Sequence, residues 1–322
     1  MEVDHLSLIP FICLGVGLFF GIKQLSGYVL KLVDLVINIA LVVLMLTIGM
    51  NIGVNDSVML NLGTIGFNCI VISLSAITFS VLLVMFVERT LLPLDALKEK
   101  LYSENLNINN EINIEKEQNE KSSPLIWMMP VSIITGVLVG YFILSKNQSD
   151  ILAYFLISSL ILLYTGVGIS LGTNRKVFYY LKVLGFKVVY ISIAIFIGSL
   201  IGGLFSGLIL GIPLHISVVS ASGMCYYSIT GAYMTQVYGI EAGTYGFVVN
   251  VMREFFTVLL LPILIRISNG SPIAGGAAGN MDTMLVPVTK FVGAELGLVA
   301  LITGVILTFA VPFILPVLYG IL

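Results

Sequence analysis

Asp282 stands where lipid-facing residues are expected. It sits in Ala274-Gly275-Gly276-Ala277-Ala278-Gly279-Asn280-Met281-Asp282-Thr283-Met284-Leu285-Val286-Pro287-Val288, between two long apolar stretches. The run is too glycine-rich for an ordinary helix and has a proline five residues after the acid. An ionisable group at bilayer depth costs about 2.5–3.5 kcal/mol on insertion scales, which marks it as a candidate functional site. Two chemistries fit: a counter-ion for a bound cation, or a proton carrier, because desolvation favours the neutral carboxyl. The structural alternative is an acid satisfied by the backbone N–H groups of a broken helix. Lys290 is either a neutralising partner or a side chain that snorkels to the membrane edge.

Other polar groups lie in equally apolar surroundings. Asp56 closes Gly49-Met50-Asn51-Ile52-Gly53-Val54-Asn55-Asp56. It is either a loop acid at the outer face or a cavity residue, with Asn51 and Asn55, four apart, on one helical side facing it. Asn250, Arg253 and Glu254 share one apolar segment. Neighbours on a helix point about 100° apart, so Arg253 and Glu254 need separate partners, whereas Asn250 and Glu254 share a face. Each charge is otherwise a structural ion pair. A further segment carries Ser217, Ser220, Ser222, Gly223, Tyr226, Tyr227, Ser228, Thr230 and Gly231. Small residues allow close helix packing, but Tyr226 and Tyr227 pair an apolar ring with a hydroxyl and suit contact with an amino acid.

These residues need a membrane scaffold to position them. The chain of 322 residues is 58% hydrophobic and 10% charged, with mean hydropathy +1.08; soluble domains carry about 25% charged residues. It reads as an all-α polytopic membrane protein. A net charge of −2 argues against a nucleic-acid partner. Cys13, Cys69 and Cys225 have neither metal nor disulfide spacing, and no cofactor is expected. An acidic flank of Glu2 and Asp4 before the first apolar stretch argues against a cleavable signal.

Ten apolar segments are judged against the ~20 residues of a spanning helix: Leu6–Ile22, Leu35–Val54, Gly63–Val87, Leu125–Leu144, Ile151–Leu171, Val183–Leu210, Ile216–Tyr238, Tyr245–Ile267, Ile273–Val292 and Leu296–Leu322. The seventh and ninth are alternatively re-entrant hairpins, which leaves eight spans. An offset of 119 pairs Gly49 with Gly168, Gly53 with Gly172, Asn55 with Asn174, Gly66 with Gly185, Phe67 with Phe186 and Ser73 with Ser192; Gly15 falls near Gly136. Segments one to three therefore recur as four to six. An odd-helix repeat is an inverted one, a common transporter design. The expected organisation is a first repeat at 1–92, a charged cytoplasmic linker at 93–123, a second repeat at 124–210 and a transport region with broken or re-entrant helices at 211–322. A weaker echo joins Ala221-Ser222-Gly223-Met224 to Ala277-Ala278-Gly279-Asn280-Met281.

Lys and Arg concentrate in alternate loops: Lys23 and Lys31; Arg89, Lys98, Lys100, Lys116 and Lys121; Arg175, Lys176 and Lys182. The positive-inside rule places these in the cytoplasm and both termini outside. With ten crossings, Arg266 falls on the outer side and dissents.

On the glycine motif ending in Asp56, Ala221-Ser222-Gly223 through Tyr227-Ser228 and Gly231, Asn250 with Arg253-Glu254 and Pro262, and Gly279-Asn280-Met281-Asp282 with Pro287-Val288, the chain resembles the bacterial L-lysine exporters called LysO. The resemblance covers nearly all the chain except the linker, which is longer and more charged than the family leads one to expect. It implies export of lysine and toxic lysine analogues from the cytoplasm, and two intramembrane acids needed for transport, which here look like Asp56 and Asp282.

Physical chemistry agrees. A cationic amino acid entering low dielectric needs a counter-charge. Moving it out against an inside-negative potential costs about 2.3 kcal/mol per charge per 100 mV, and no G-x-x-x-x-G-K-[ST] loop is present to use nucleotide. A carboxylate that holds either a proton or lysine gives exchange. The expectation is a non-enzymatic secondary transporter in the bacterial plasma membrane, exporting L-lysine by proton antiport. Asp56, Asp282, Asn51, Asn55, Ser222, Tyr226, Tyr227, Asn250, Arg253, Glu254 and Asn280 are the candidate site, and homo-oligomerisation is left open. The alternatives are a cation/proton exchanger, an exporter of another amino acid, and, remotely, an intramembrane aspartyl protease using Asp56 and Asp282. The Gly-x-Gly-Asp and Tyr-Asp signatures of such enzymes are missing.

Overall fold

The computed structural model describes residues 5–23, 26–94, 97–98, 123–144, 149–173 and 184–322. Most of the charged linker, Asn174, Arg175, Lys176 and Lys182 lie outside the described residues. Those described form α-helices and short 3-10 turns with no strand among them.

Six long helices come first: α1 (His5–Ile22), α2 (Gly27–Val54), α3 (Asp56–Thr90), α4 (Ser123–Phe142), α5 (Ser149–Thr173) and α6 (Val189–Leu210). Two short helices follow, α7 (Leu214–Ala221) and α8 (Tyr227–Tyr238), and then the long α9 (Ile240–Ile267). Two more short helices, α10 (Gly270–Gly276) and α11 (Leu285–Val292), flank a 3-10 turn at Ala277–Met281 before α12 (Ala294–Ile321). Among the described residues, six helices are long and apolar enough to cross a membrane, with shorter apolar stretches in α1 and α4. Exposed leucines, isoleucines and phenylalanines cover the outside, for example Leu60, Phe67, Phe86, Ile209 and Leu259. Such a surface suits hydrocarbon and would not suit water.

Glycine rows set the helix pairing. A Cβ at Gly17 would meet the Thr165 carbonyl and Gly168, and one at Gly21 would meet Ile169 and Gly172. Likewise Gly49 faces Ile133 and Gly136, and Gly53 faces Val137, Gly140 and Tyr141. These are small-xxx-small seams that let backbones touch. Contact partners rise together along both helices, so α1 runs parallel to α5, and α2 parallel to α4. The pair α3 and α6 behaves oppositely: Gly198 packs on Phe79 and Ser80, and Gly202 on Ser75 and Ala76. Those two helices are antiparallel. The offset of 119 that relates Gly49 to Gly168 also relates Gly17 to Gly136 and Gly21 to Gly140, which is tighter than the expected match of Gly15 near Gly136. It relates Ser80 to Ser199 as well, and their hydroxyls lie 3.2 Å apart in the core. It does not carry conformation everywhere: Gly66 is inside α3, whereas Gly185 has φ +81° ahead of α6.

The seventh and ninth segments do not form continuous helices. Between α7 and α8, Met224 and Cys225 take φ +49° and +76°; between α10 and α11, Ala277 takes +46°. Left-handed backbone at non-glycine residues is costly and persists only where the surroundings hold it. The ends of each segment lie side by side. His215, at the start of α7, stacks on Tyr238, at the end of α8, with centroids 4.8 Å apart. Glu88, near the end of α3, accepts from the Gly270 N–H at 3.1 Å. Lys98, just beyond α3, donates to the Val292 carbonyl at 3.1 Å. The α10–α11 segment thus starts and finishes at the face where α3 ends. The α7–α8 segment does so at the opposite face, because α7 follows the end of α6, antiparallel to α3. Their tips meet: the Ala278 N–H donates to the Met224 carbonyl at 3.0 Å.

α9 and α12 follow the two broken segments and resemble each other. Each has 28 residues, begins after a glycine at φ +91° or +95°, carries an acid in its first turn (Glu241, Glu295) and has proline inside (Pro262; Pro312 and Pro316). Gly243 packs on Thr235, and Gly297 on Thr289, in the same way.

Candidate functional site

A cavity of about 350 Å³ lies where the two broken segments meet, with walls from α2 and α5. That is in the range of small-molecule sites. Asp282, Thr283 and Met281 enter it from the break before α11. Cys225, Tyr226, Tyr227 and Ser228 enter it from the break before α8. Asp34 and Asn38 come from α2, Leu163 and Val167 from α5, and Thr308 from α12.

The breaks are held from behind, which fixes how these side chains point. Asn250, fully buried, accepts from the Cys225 N–H at 2.8 Å and donates to the Ser220 and Gly246 carbonyls at 2.9 and 2.7 Å. It replaces the helical partners that the Cys225 N–H and the Ser220 carbonyl lose at the break. Gly223 must be glycine here, because a Cβ would run into the Thr230 and Asn250 side chains. Ser222 is buried and donates to the Val219 carbonyl at 2.7 Å. Asn280 donates to the Ile273 carbonyl at 2.7 Å, stabilising the turn before Asp282.

Arg253 is 1% exposed. Its guanidinium donates to Ser199 Oγ at 2.7 Å, to Ser80 Oγ at 3.2 Å, and to the Ala274 and Gly275 carbonyls at 3.1 and 3.4 Å. The cation therefore satisfies the C-terminal carbonyls of α10, where the helix dipole favours positive charge, and ties them to the α3–α6 seam. Glu254 points elsewhere, towards Thr283 and within electrostatic range of Asp282.

Among the residues expected at the site, Asp282, Tyr226 and Tyr227 share the cavity. Glu254 stands beside it. Asn250, Ser222, Asn280 and Arg253 are placed behind it, as supports of the broken backbone. Asn51, Asn55 and Asp56 lie outside its lining. Asn55 caps α3, its Oδ1 accepting from the Ser57 and Val58 N–H groups at 3.1 and 3.2 Å. Asp56 is exposed in the first turn of α3, and Asn51 is buried in the last turns of α2. From Asp34 to the end of α2 is about 30 Å at 1.5 Å per residue, so Asp56 lies near the opposite face from Asp34.

Asp34 is the acid that the sequence reading missed. With Asn38 it forms an acid and an amide four apart, flanked by Val33, Leu35, Val36, Ile37 and Ile39. That was the available signal. A span limited to ~20 residues starts at Leu35 and leaves Asp34 in a loop, whereas α2 extends 28 residues from Gly27.

Broken segments whose tips meet around an acid-lined cavity, inside a shell of apolar helices, define a polytopic α-helical membrane protein, and discontinuous helices of this sort recur in transporter folds. The comparisons with known proteins narrow this. The family model "Lysine exporter LysO" matches residues 131–319, so the chain belongs to that family. The match covers the part from α4 onward rather than nearly all of the chain. The chain is also similar to "Lysine exporter LysO" of Escherichia coli (strain K12), 27% identical over 157 residues, which is 49% of this chain. It spans about half (52%) the length of that relative. No solved structure matches it significantly.

Proposed function

We propose that this protein exports L-lysine and lysine analogues from the bacterial cytoplasm by proton antiport, with Asp282 as the group that exchanges a proton for the cation and Asp34 as a second acid lining the same cavity. The observation that carries this reading is that two acids from different elements line one cavity, at the meeting point of two broken helices, in a chain of the lysine exporter family. Lysine carries two ammonium groups and one carboxylate, a net charge of +1, and that surplus charge needs a counter-charge once water is stripped away. A carboxylate that releases its proton as the ammonium arrives, and takes one up as it leaves, exchanges one for the other without burying net charge. Tyr226 and Tyr227 present ring faces for the methylenes and the cation, and Glu254 hydrogen-bonds Thr283 beside the cavity.

We further propose eight spans, an inverted repeat of α1–α3 and α4–α6, and two re-entrant hairpins. Parallel pairing of α1 with α5 and of α2 with α4, with antiparallel α3 and α6, fits a repeat turned upside down; a repeat in the same orientation would reverse all three. Hairpins also remove the dissent of Arg266 from the positive-inside rule. With α7–α8 returning to its own face, α9 ends in the cytoplasm and takes Arg266 with it. Both termini then lie outside, and Asp34 faces the cytoplasmic half.

The test is labelled-lysine efflux from cells making Asp282→Asn at normal abundance. Efflux is expected to vanish, and sensitivity to a toxic lysine analogue to appear. Unimpaired efflux in that variant overturns the role of Asp282. Counterflow with other amino acids or sodium, and none with lysine, would reassign the cargo.

A further inference from the structure

Four buried polar atoms on α5 and α8 find no hydrogen-bond partner among the described residues: the hydroxyls of Tyr164, Tyr233 and Tyr238, and Nε2 of Gln236. Leaving one such group unpaired costs about 1–3 kcal/mol, so four on adjoining helices call for a reason. The tyrosines form a column. Tyr226 lines the cavity. Tyr164 lies within electrostatic range of both Tyr226 and Tyr233, and Tyr233 within range of Tyr238 and Tyr319. The Tyr238 ring meets Tyr319 with centroids 5.3 Å apart and stacks on His215. Exposure rises along the column: Tyr164 and Tyr233 are 1% exposed, whereas Tyr238, Tyr319 and His215 are half-buried. From Tyr227 to Tyr238, α8 rises about 17 Å, roughly half the ~30 Å of a bilayer core. The column starts at the cavity and ends at the face where α2 ends, opposite the face nearest Asp34.

We infer that Tyr164, Tyr233, Tyr238 and Tyr319 line the closed half of the translocation path. The inference rests on the export reading above and adds the route by which the cation leaves. In this state the path is shut and the hydroxyls of Tyr164, Tyr233 and Tyr238 are buried without a hydrogen-bond partner among the described residues. In the opposite state they are wetted and meet the departing ammonium. Tyrosine suits the task, since its ring face attracts a cation and its hydroxyl is a neutral partner that does not trap it. The seam is also the weak one: α8 packs far more extensively on α9 than on α5, so parting α5 from α8 opens the column at little cost in buried surface.

The test uses the full chain in intact cells loaded with labelled lysine and treated from outside with a membrane-impermeant thiol reagent. Tyr233→Cys and Tyr238→Cys are each compared with the parent, whose Cys13, Cys69 and Cys225 set the background. Both variants are expected to react several-fold faster than the parent while lysine leaves, with efflux then blocked, and Tyr233→Cys to fall to background without a lysine load. Normal export with no reaction above background in either variant places the path elsewhere. Should Tyr233→Cys be made but inactive, Tyr233→Phe decides: about tenfold slower efflux at unchanged half-saturation is expected for a lost hydroxyl contact, and the parent rate overturns the inference. A parent that moves no lysine at all defeats the export reading instead, which the same cells reveal before any variant is compared.

Discussion

At the scale of single residues, the polar side chains divide by what they touch. Asp282 and Asp34 touch the cavity; Arg253 and Asn250 touch backbone. The two groups should therefore fail differently. Asp34→Asn is expected to slow lysine efflux strongly while leaving thermal stability in detergent unchanged, and Asp56→Asn to export at close to the parent rate. A large transport loss for Asp56→Asn with a normal Asp34→Asn would reverse the assignment. Arg253→Met leaves Ala274 and Gly275 carbonyls unsatisfied in the core and is expected to cost about 3 kcal/mol or more of stability. Melting in detergent checks this, and Arg253→Lys should recover only part, because an ammonium cannot reproduce the fork that spans two serines and two carbonyls. Asp282 was legible in the sequence because nothing else in its run is charged. Asp34 was not, since Lys31 three residues earlier makes it look like part of a loop. The role of Arg253 was not legible either: its partners are two serine hydroxyls 119 residues apart and two carbonyls, none of which carries a charge signal.

At the scale of helices, glycine decides which surfaces meet. The seams Gly17-x-x-x-Gly21 against Gly168-x-x-x-Gly172, and Gly49-x-x-x-Gly53 against Gly136-x-x-x-Gly140, bring backbones into contact. Gly17→Ala is therefore expected to lower the melting temperature measurably, whereas Gly15→Ala, in the same helix and with open space around its Cβ position, should be neutral or slightly stabilising through helix propensity. Equal effects at the two positions would contradict the seam. The sequence carried these rows as a repeated diagonal, and nearly every helix as an apolar run. It could not say where the runs break, because the breaks are backbone conformations: Met224, Cys225 and Ala277 adopt positive φ without being glycine. Nor could it place the ends of the broken segments, which depends on His215 meeting Tyr238 and on Glu88 meeting Gly270.

At the scale of the whole molecule, the chain combines a shell of paired long helices with two broken segments that meet at their tips. The cavity adjoins one face through α2, and a column of tyrosines runs towards the other. A carrier needs a site reachable from one side at a time; in the proposed mechanism the acid-lined cavity is the entry side and the tyrosine column the closed one. The energetic demand is also set at this scale. Expelling lysine as a cation opposes an inside-negative potential, whereas exchange for one proton moves no net charge and leaves the pH gradient as the driving force. The most direct measurement is labelled lysine in proteoliposomes of the purified protein with the membrane potential clamped at zero. An imposed pH step is expected to drive lysine towards the acidic side, with no response to a potential imposed at equal pH. Lysine movement that ignores the pH step, or none above empty vesicles, would contradict proton-coupled export.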